Sequence, residues 1–366
     1  MSISTPQTIA DISATWIEAV LRGAGALSGD RVEQIALRPI GESRGFLSCM
    51  AAVDLAYAGA AVGGVTSSGP ASVVVKLEPA AGAFRDKERD FKAFEREALF
   101  YRDVAGHVDV RVPRVYYAHS SAEGSALVME DLTRLNCGDQ VRGMQHEQVI
   151  ATVRQIGRVH AAFWNNDRLT SLRWLPDHDP FWFAGYEEHW PGFVREYEVR
   201  LGRDGLALGE GVLTHLDWLK ARIAERPSAL VHADLRADNL LFGEHGSPDA
   251  VVIVDWQLAT KSMAGIDPTR LLGGSEPASQ RNGHHLEVFT AWHETLLEQG
   301  VTGYEFDEAL VDFRLGALYN LLVPVLAYGM TIGTTSVRTA RLVDAQVERM
   351  YVSATELEAD SLLPKV

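Results

Sequence analysis

The stretch "LVHADLRADNLLF", residues 230–242, sets His232, Asp234, Asp238 and Asn239 ahead of the apolar run Leu240, Leu241 and Phe242. A strand opening needs one turn residue, not four polar ones. Downstream, 240–243 and 250–254 read as two short strands joined by the turn-rich "EHGSPD". A hairpin of these strands is antiparallel, so the start of the first lies beside the end of the second. That expectation puts Asn239 next to Asp255, with Asp234 one short loop away. Two carboxylates and an amide offer only oxygen ligands, which suit a hard cation such as Mg²⁺ held partly through substrate phosphates. The matching chemistry is phosphoryl transfer, where positioning and charge neutralisation do most of the catalysis. Asp234 would accept the proton of an attacking hydroxyl, and Asn239 and Asp255 would hold the metal.

Each residue alone has an ordinary explanation. His232 and Asp234 fit a capped turn, and Asp255 fits the cap of a following helix. Separate explanations do not account for the spacing H-x-D-x-x-x-x-N followed by a hairpin and an Asp. A metal tetrad built on His232 lacks a second His or Cys at ligand spacing, and His245 falls in the turn at the wrong end. His232 therefore reads as a structural histidine bracing the loop through its ring nitrogens.

Phosphoryl transfer also needs a cation for the phosphates. Lys76 ends "SVVVK" on a strand expected over 72–79. Alone, a lysine alternating with Val75 and Leu77 usually faces solvent. However, the helix expected over 87–106 carries Phe91, Phe94, Ala98 and Tyr101 on one stripe. Phe94, Glu97 and Tyr101 follow i, i+3, i+7 spacing, so Glu97 lies along that stripe. A carboxylate there wants a buried cationic partner, and Lys76 is the candidate. Glu95, Arg96 and Arg102 fall off the stripe and are expected to be solvated. The loop "GESRGFLS" (41–48) matches G-x-G-x-x-G poorly, but Gly41, Gly45, Ser43 and Ser48 offer donors for phosphates. In "LVMEDL" (127–132), backbone groups from Glu130 to Leu132 would meet an adenine edge; an ordinary strand end is the other reading.

Around these residues, 8–22 shows helical spacing, and 31–40, 49–58, "RVYYAHS" and "SALVMEDL" read as strands. Beyond Leu132 the pattern is mostly helical. The expected class is α+β, with a nucleotide-binding part over 1–132 and a helical part over 133–366 that holds the catalytic loop and acceptor pocket. A chain of 366 residues with 46% hydrophobic and 23% charged residues fits such a globular protein. A net charge of -15 argues against nucleic acid as a partner. The uncharged stretch Leu315 to Val337 has a strongly apolar part shorter than the ~20 residues of a membrane span, so a core helix is expected and no membrane partner. Cys49 and Cys137 stand far apart, which fits a reducing compartment. The opening "MSISTPQTIADIS" lacks a basic region followed by an apolar core, so no signal peptide is expected and a cytoplasmic location is.

Lys76, Glu97, "LVMEDL", "GRVHAAFW" (157–164), "HADLRADNLLF" and "IVDWQ" occur in the order found in the aminoglycoside phosphotransferase and choline kinase superfamily. The chain resembles that superfamily from about residue 35 to 275, and its "HAAFW" and "VDWQ" are most similar to the ecdysteroid-kinase-like and related bacterial branches. The resemblance implies a protein-kinase-like bilobal fold, with a strand-rich N-lobe and a mainly helical C-lobe. It implies ATP- or GTP-dependent phosphorylation of a small-molecule hydroxyl. It also implies Asp234 as catalytic base, Asn239 and Asp255 as Mg²⁺ ligands, and Lys76 and Glu97 as the phosphate-binding lysine and its helix partner. Ala233 stands where protein kinases carry an Arg that reads activation-loop phosphorylation, "DWQ" replaces D-F-G, and no A-P-E segment follows. These departures point to a constitutively active small-molecule enzyme. "GIDPTRLL" (265–272) resembles the family's Asp-led helix, with Asp267 expected to N-cap it and brace the site.

The helical part should choose the acceptor. Residues 163–197 are rich in rings, from Phe163 and Trp164 to Phe193 and Tyr197. Core packing explains part of this bias; an apolar or aromatic alcohol would explain the rest. Glu187, Glu188, Glu196 and Glu198 leave a cationic aminoglycoside open. Two other functions stand beside the small-molecule kinase: a nucleotide-binding protein that has lost catalysis, and a protein kinase.

Overall fold

The computed structural model describes residues 5–40, 49–58, 68–78, 92–121, 124–177, 181–247, 250–281, 283–333 and 336–365. Ser43 and the rest of the 41–48 loop lie outside the described residues. The chain divides into two units. The first comprises Met1–His107, Arg111–Asn136 and Gly243–Leu258; the second comprises Val108–Val110, Cys137–Phe242 and Ala259–Val366. A boundary at residue 132 leaves out the return of Gly243–Leu258 to the first unit. The cause is packing: the Trp256 ring stacks on Phe100, with centroids 3.9 Å apart and planes 8° from parallel.

In the first unit, β1 (Arg31–Ile40), β2 (Cys49–Ala58), β3 (Ser72–Leu77), β4 (Val115–Ser121) and β5 (Gly124–Glu130) form an antiparallel sheet in the order β1-β2-β3-β5-β4. Helix α1 (Ala14–Gly23) starts at Ser13, whose Oγ accepts from Trp16 N. Its Trp16, Ile17, Val20 and Leu21 pack with Val73, Val75 and Leu77. Helix α2 (Ala93–Asp103) covers the other side, where Phe94 and Ala98 pack with Val74, Leu127 and Met129. Covered on both faces, β3 reads as an unbroken β-branched run rather than an alternation. Each fully buried valine contributes roughly 1.5–3 kcal/mol. Arg96, expected on the solvated side of α2, is buried.

The second unit is mainly helical: α3 (His146–Ala162), α4 (Phe181–Thr214), α5 (Ile266–Ser275), α6 (His284–Glu298), α7 (Phe306–Asn320), α8 (Leu322–Thr331) and α9 (Val337–Glu356). A two-stranded antiparallel ribbon pairs β6 (Ser228–Val231) with β8 (Thr260–Met263); β7 (Leu240–Phe242) follows the catalytic loop. Helix α4 is broken at Gly202, whose φ of 63° and ψ of -172° are non-helical. Much of the ring-rich stretch is core, while Trp164, Trp174 and Trp182 are part-exposed. Tyr186, Trp190, Phe193 and Tyr197 form one buried stripe of α4 in which Tyr186 stacks on Trp190 and Phe193 tilts against Tyr197.

The long apolar stretch is two helices, not one. Helix α7 ends at Asn320 and α8 begins at Leu322, with Pro324 in its first turn, where a missing N–H costs little. By length and composition Phe306–Thr331 suffices to cross a membrane, but 83% of its apolar window is buried inside the protein, as expected of core helices. Its start packs closely on α5. A Cβ on Gly316 would lie 2.3 Å from the Gly265 carbonyl oxygen, and one on Gly265 would lie 2.5 Å from the Asp312 oxygen. Two backbones therefore touch where any side chain would separate them.

Candidate active site

The first unit carries a buried ionic cluster. In β3, Lys76 lies opposite Met50 and Leu127, on the face that α2 covers. Its Nζ donates to Glu97 Oε2 at 2.7 Å and to Asp255 Oδ1 at 2.9 Å. The Lys76 and Glu97 side chains are 4% and 2% exposed, whereas that of Asp255 is 33% exposed. Burial pulls the Lys76 ammonium down, but the Asp255 and Glu97 carboxylates outweigh it and hold the group above its ordinary range. Burial pushes the Glu97 carboxyl up, opposed by Lys76 and helped by Asp255. The stripe on α2 thus does bring Glu97 to Lys76. Asp255 has a φ of 66°, a left-handed conformation that costs a non-glycine residue about 1–2 kcal/mol. The Trp256 anchor holds it there.

The second unit carries the 232–239 loop, which the sequence reading expects to be catalytic. Asp234 Oδ1 accepts from Arg270 Nη2 at 2.8 Å, and Oδ2 accepts from Arg236 Nε at 2.9 Å and Asn239 Nδ2 at 3.0 Å. Burial pushes its carboxyl up, but the Arg236 and Arg270 guanidiniums reverse that and hold it at about 2. Asn239 Nδ2 also donates to the Asp234 carbonyl at 2.9 Å, which leaves the amide oxygen for another partner. Asp238 plays a different part: it accepts from Arg236 Nη1, Gln140 N and Arg338 Nη2, tying the loop to its surroundings. Gly138 backs the loop, since a Cβ there would lie 2.2 Å from the Ala237 oxygen.

Asp267 does brace the loop, though not as a cap of its own helix. It lies inside α5, where Gly265 is the N-cap and makes no side-chain cap bond. Its buried carboxylate instead accepts from His232 N at 2.7 Å, Ala233 N at 2.8 Å and His160 Nε2 at 3.1 Å. Trp292 Nε1 donates to His160 Nδ1, which leaves the His160 proton on Nε2 for Asp267. Ala233, with a φ of 64°, is held in a left-handed conformation by this grip. His232 is fully buried, and its Nδ1 accepts from Asp234 N at 3.2 Å, in keeping with a structural histidine.

The other expected positions fare differently. The Glu130 N–H already donates to the Arg114 oxygen, and its carboxylate pairs with Arg111 Nη2 at 2.8 Å. The Leu132 carbonyl accepts from Leu135 N. Glu130 therefore has no backbone donor to spare for an adenine edge, while a carbonyl such as that of Leu132 can accept twice. Both short strands after the loop exist, as Leu240–Phe242 in the second unit and Val252–Ile253 in the first. The sequence reading missed Arg236 and Arg270 as partners of Asp234. The available signals were an Arg two residues after Asp234 and a lone Arg in the otherwise apolar "TRLLGG".

No curated protein matches the chain by sequence. Solved structures of the same fold include a choline kinase from Cryptosporidium parvum, at 12% identity and a TM-score of 0.59, covering 94% of this chain and 97% of that one. An ethanolamine kinase from Plasmodium vivax is 10% identical with a TM-score of 0.52, covering 87% and 81%. A microcompartment-associated aminopropanol kinase is 13% identical with a TM-score of 0.52, covering 95% and 98%. The fold is thus the protein-kinase-like one that the sequence implied, with a strand-rich N-terminal and a helical C-terminal unit. A model of the phosphotransferase enzyme family matches residues 65–313, more than half of the chain. The chain belongs to the phosphotransferase enzyme family, and it is, as expected, a phosphotransferase.

Proposed function

We propose that the protein transfers the γ-phosphoryl group of ATP, or of GTP, to a hydroxyl of a small alcohol. The observation that carries this reading is Lys76, kept charged in the interior between Glu97 on α2 and the half-exposed Asp255. A strand lysine fixed by a helix glutamate beside a metal-binding aspartate is the arrangement that phosphoryl transfer needs in place.

Lys76 would bind the nucleotide phosphates, and Glu97 would fix its position. Asn239 and Asp255 offer an amide oxygen and a carboxylate, the hard donors that fit Mg²⁺. When bound, Mg²⁺ neutralises charge on the β- and γ-phosphates. Asp234 would orient the acceptor hydroxyl and take its proton, with Arg236 and Arg270 keeping the carboxylate ionised and aimed. Leu132 and Ser43 are proposed on the nucleotide side from the resemblance alone.

The ring-rich stretch gives limited support to an aromatic acceptor, because Phe163, Phe183, Tyr186, Trp190, Phe193 and Tyr197 are spent on the core, while Trp164, Trp174 and Trp182 are part-exposed. The similar structures include kinases of choline, ethanolamine and aminopropanol and aminoglycoside phosphotransferases, all acting on compounds that carry an amine or ammonium group. An alcohol that also carries an amine, from a compact amino alcohol to an aminoglycoside, is therefore the first acceptor class to test. The experiment supplies γ-labelled ATP and Mg²⁺ with a panel of amino alcohols, aminoglycosides, macrolides, sterols, sugars and phenols, with Asp234→Asn as control. Label in one small molecule with wild type alone is expected. Label in none, with Mg·ATP bound, would favour the binding-protein reading.

A further inference from the structure

Away from the catalytic loop, two imidazoles are stacked at the surface of the second unit. His146 opens α3 and His284 opens α6; their rings lie 3.7 Å apart and 29° from parallel. Both present Nδ1 to one oxygen of Glu276, at 3.1 and 3.0 Å. Glu276 follows directly on α5 and its side chain is fully buried. With Nδ1 of each ring turned to this carboxylate, each imidazole directs its Nε2 away from Glu276.

His146 Nε2 then meets Glu287 Oε2 at 3.0 Å. That distance suits either a proton or a bound cation between the two atoms. One ligand atom from each of His146, His284 and Glu287 lies within 4.8 Å of the others. Around a tetrahedral ion with bonds of ~2.0–2.1 Å, ligand atoms stand about 3.3 Å apart. Small side-chain rotations would close the cluster to that spacing.

We propose that His146, His284 and Glu287 bind one divalent transition-metal ion of the Zn²⁺ type, with Glu276 as the buried carboxylate that orients both rings. Imidazole and carboxylate ligands suit this class, and a carboxylate behind each ligating histidine is its usual support. The ion would fasten the starts of α3 and α6 to the end of α5. Neighbouring Ser275 already accepts from Ala237 N of the catalytic loop through its hydroxyl and from Met144 N through its carbonyl. The site is separate from the proposed Mg²⁺ ligands and does not depend on their assignment.

The test titrates ZnCl₂ by calorimetry into chelator-stripped full-length protein, with millimolar Mg²⁺ present to occupy oxygen-only sites. One Zn²⁺ per chain is expected. Affinity should fall about tenfold or more in His146→Ala, His284→Ala and Glu276→Gln. Glu287→Ala changes a side chain that is 66% exposed, so it tests the site without threatening the fold. Co²⁺ should give a visible absorption band in wild type that is lost in His284→Ala. Failure to bind stoichiometric Zn²⁺, which would mean that a proton joins His146 to Glu287, overturns the proposal. So does unchanged affinity in both Glu287→Ala and His284→Ala.

Discussion

Arg270 Nη2 lies 2.8 Å from Asp234 Oδ1, the carboxylate oxygen that Arg236 and Asn239 do not reach. With both guanidiniums in place the carboxyl stays near 2, so its ionised form is essentially complete by about pH 4. Removing Arg270 leaves burial less opposed and moves the carboxyl upward. Arg270→Met should therefore lower kcat/KM and shift its acid limb to higher pH, with Arg270→Lys in between. Superimposable pH profiles would show that Arg270 does not tune Asp234.

Asp234→Asn should lower transfer by about 10²–10⁴-fold, the usual contribution of a positioned acid or base. Nucleotide affinity should change little. The same substitution carries a stability signature. A carboxyl lowered from 3.8 to about 2 on folding contributes stability that is full above 3.8 and lost as pH falls through 2, on the order of 2 kcal/mol at neutral pH. Thermal melts at pH 7 and at acid pH should show wild type losing part of its advantage over Asp234→Asn as pH drops.

Lys76 and Glu97 should be uncoupled by a double-mutant cycle. Lys76→Met strands a buried carboxylate, at a cost of roughly 3–5 kcal/mol for breaking such a pair. Adding Glu97→Gln removes the stranded charge and should restore much of the stability while transfer stays lost. Denaturant melts and nucleotide affinity by calorimetry, measured on all four proteins, separate the two effects. Additive stability losses would mean that the pair does not interact energetically.

Asp267→Asn should disable the catalytic loop without touching Asp234. Both carboxylate oxygens accept from N–H groups, so an amide nitrogen would meet a donor on either side. Each buried group left unsatisfied costs about 1–3 kcal/mol. Hydrogen exchange should show His232 and Ala233 amides losing protection, and kcat should fall. Wild-type protection at both amides would refute the bracing role.

Much of this was legible in the chain. An alternating run announced β2 and a β-branched one β3, and the helical stripe placed Glu97 beside Lys76 because a 3.6 period fixes a face. The spacing from Asp234 to Asn239 marked a loop with a task. Arg270 was not legible, because its partner comes from a loop 36 residues earlier and periodicity says nothing of tertiary neighbours. Asp267 misled for a similar reason: an Asp in a first turn suggests a cap, while its real partners are the amides of another segment. The ring-rich 163–197 stretch carried no sign of whether its rings would face a ligand or one another.

The glycine contact between α5 and α7 bears on how this enzyme tolerates change. Asp267 and Arg270 ride on α5, and the seating of α5 depends on Gly265 meeting Gly316 backbone to backbone. A single methyl at Gly316 would lever α5 outward, and the aim of Asp234 would drift with it. A survey of inactivating substitutions would then find Gly316 among the sensitive positions, although it has no side chain of its own. In this fold the tolerance of the chemistry is set by a spacing between two helices.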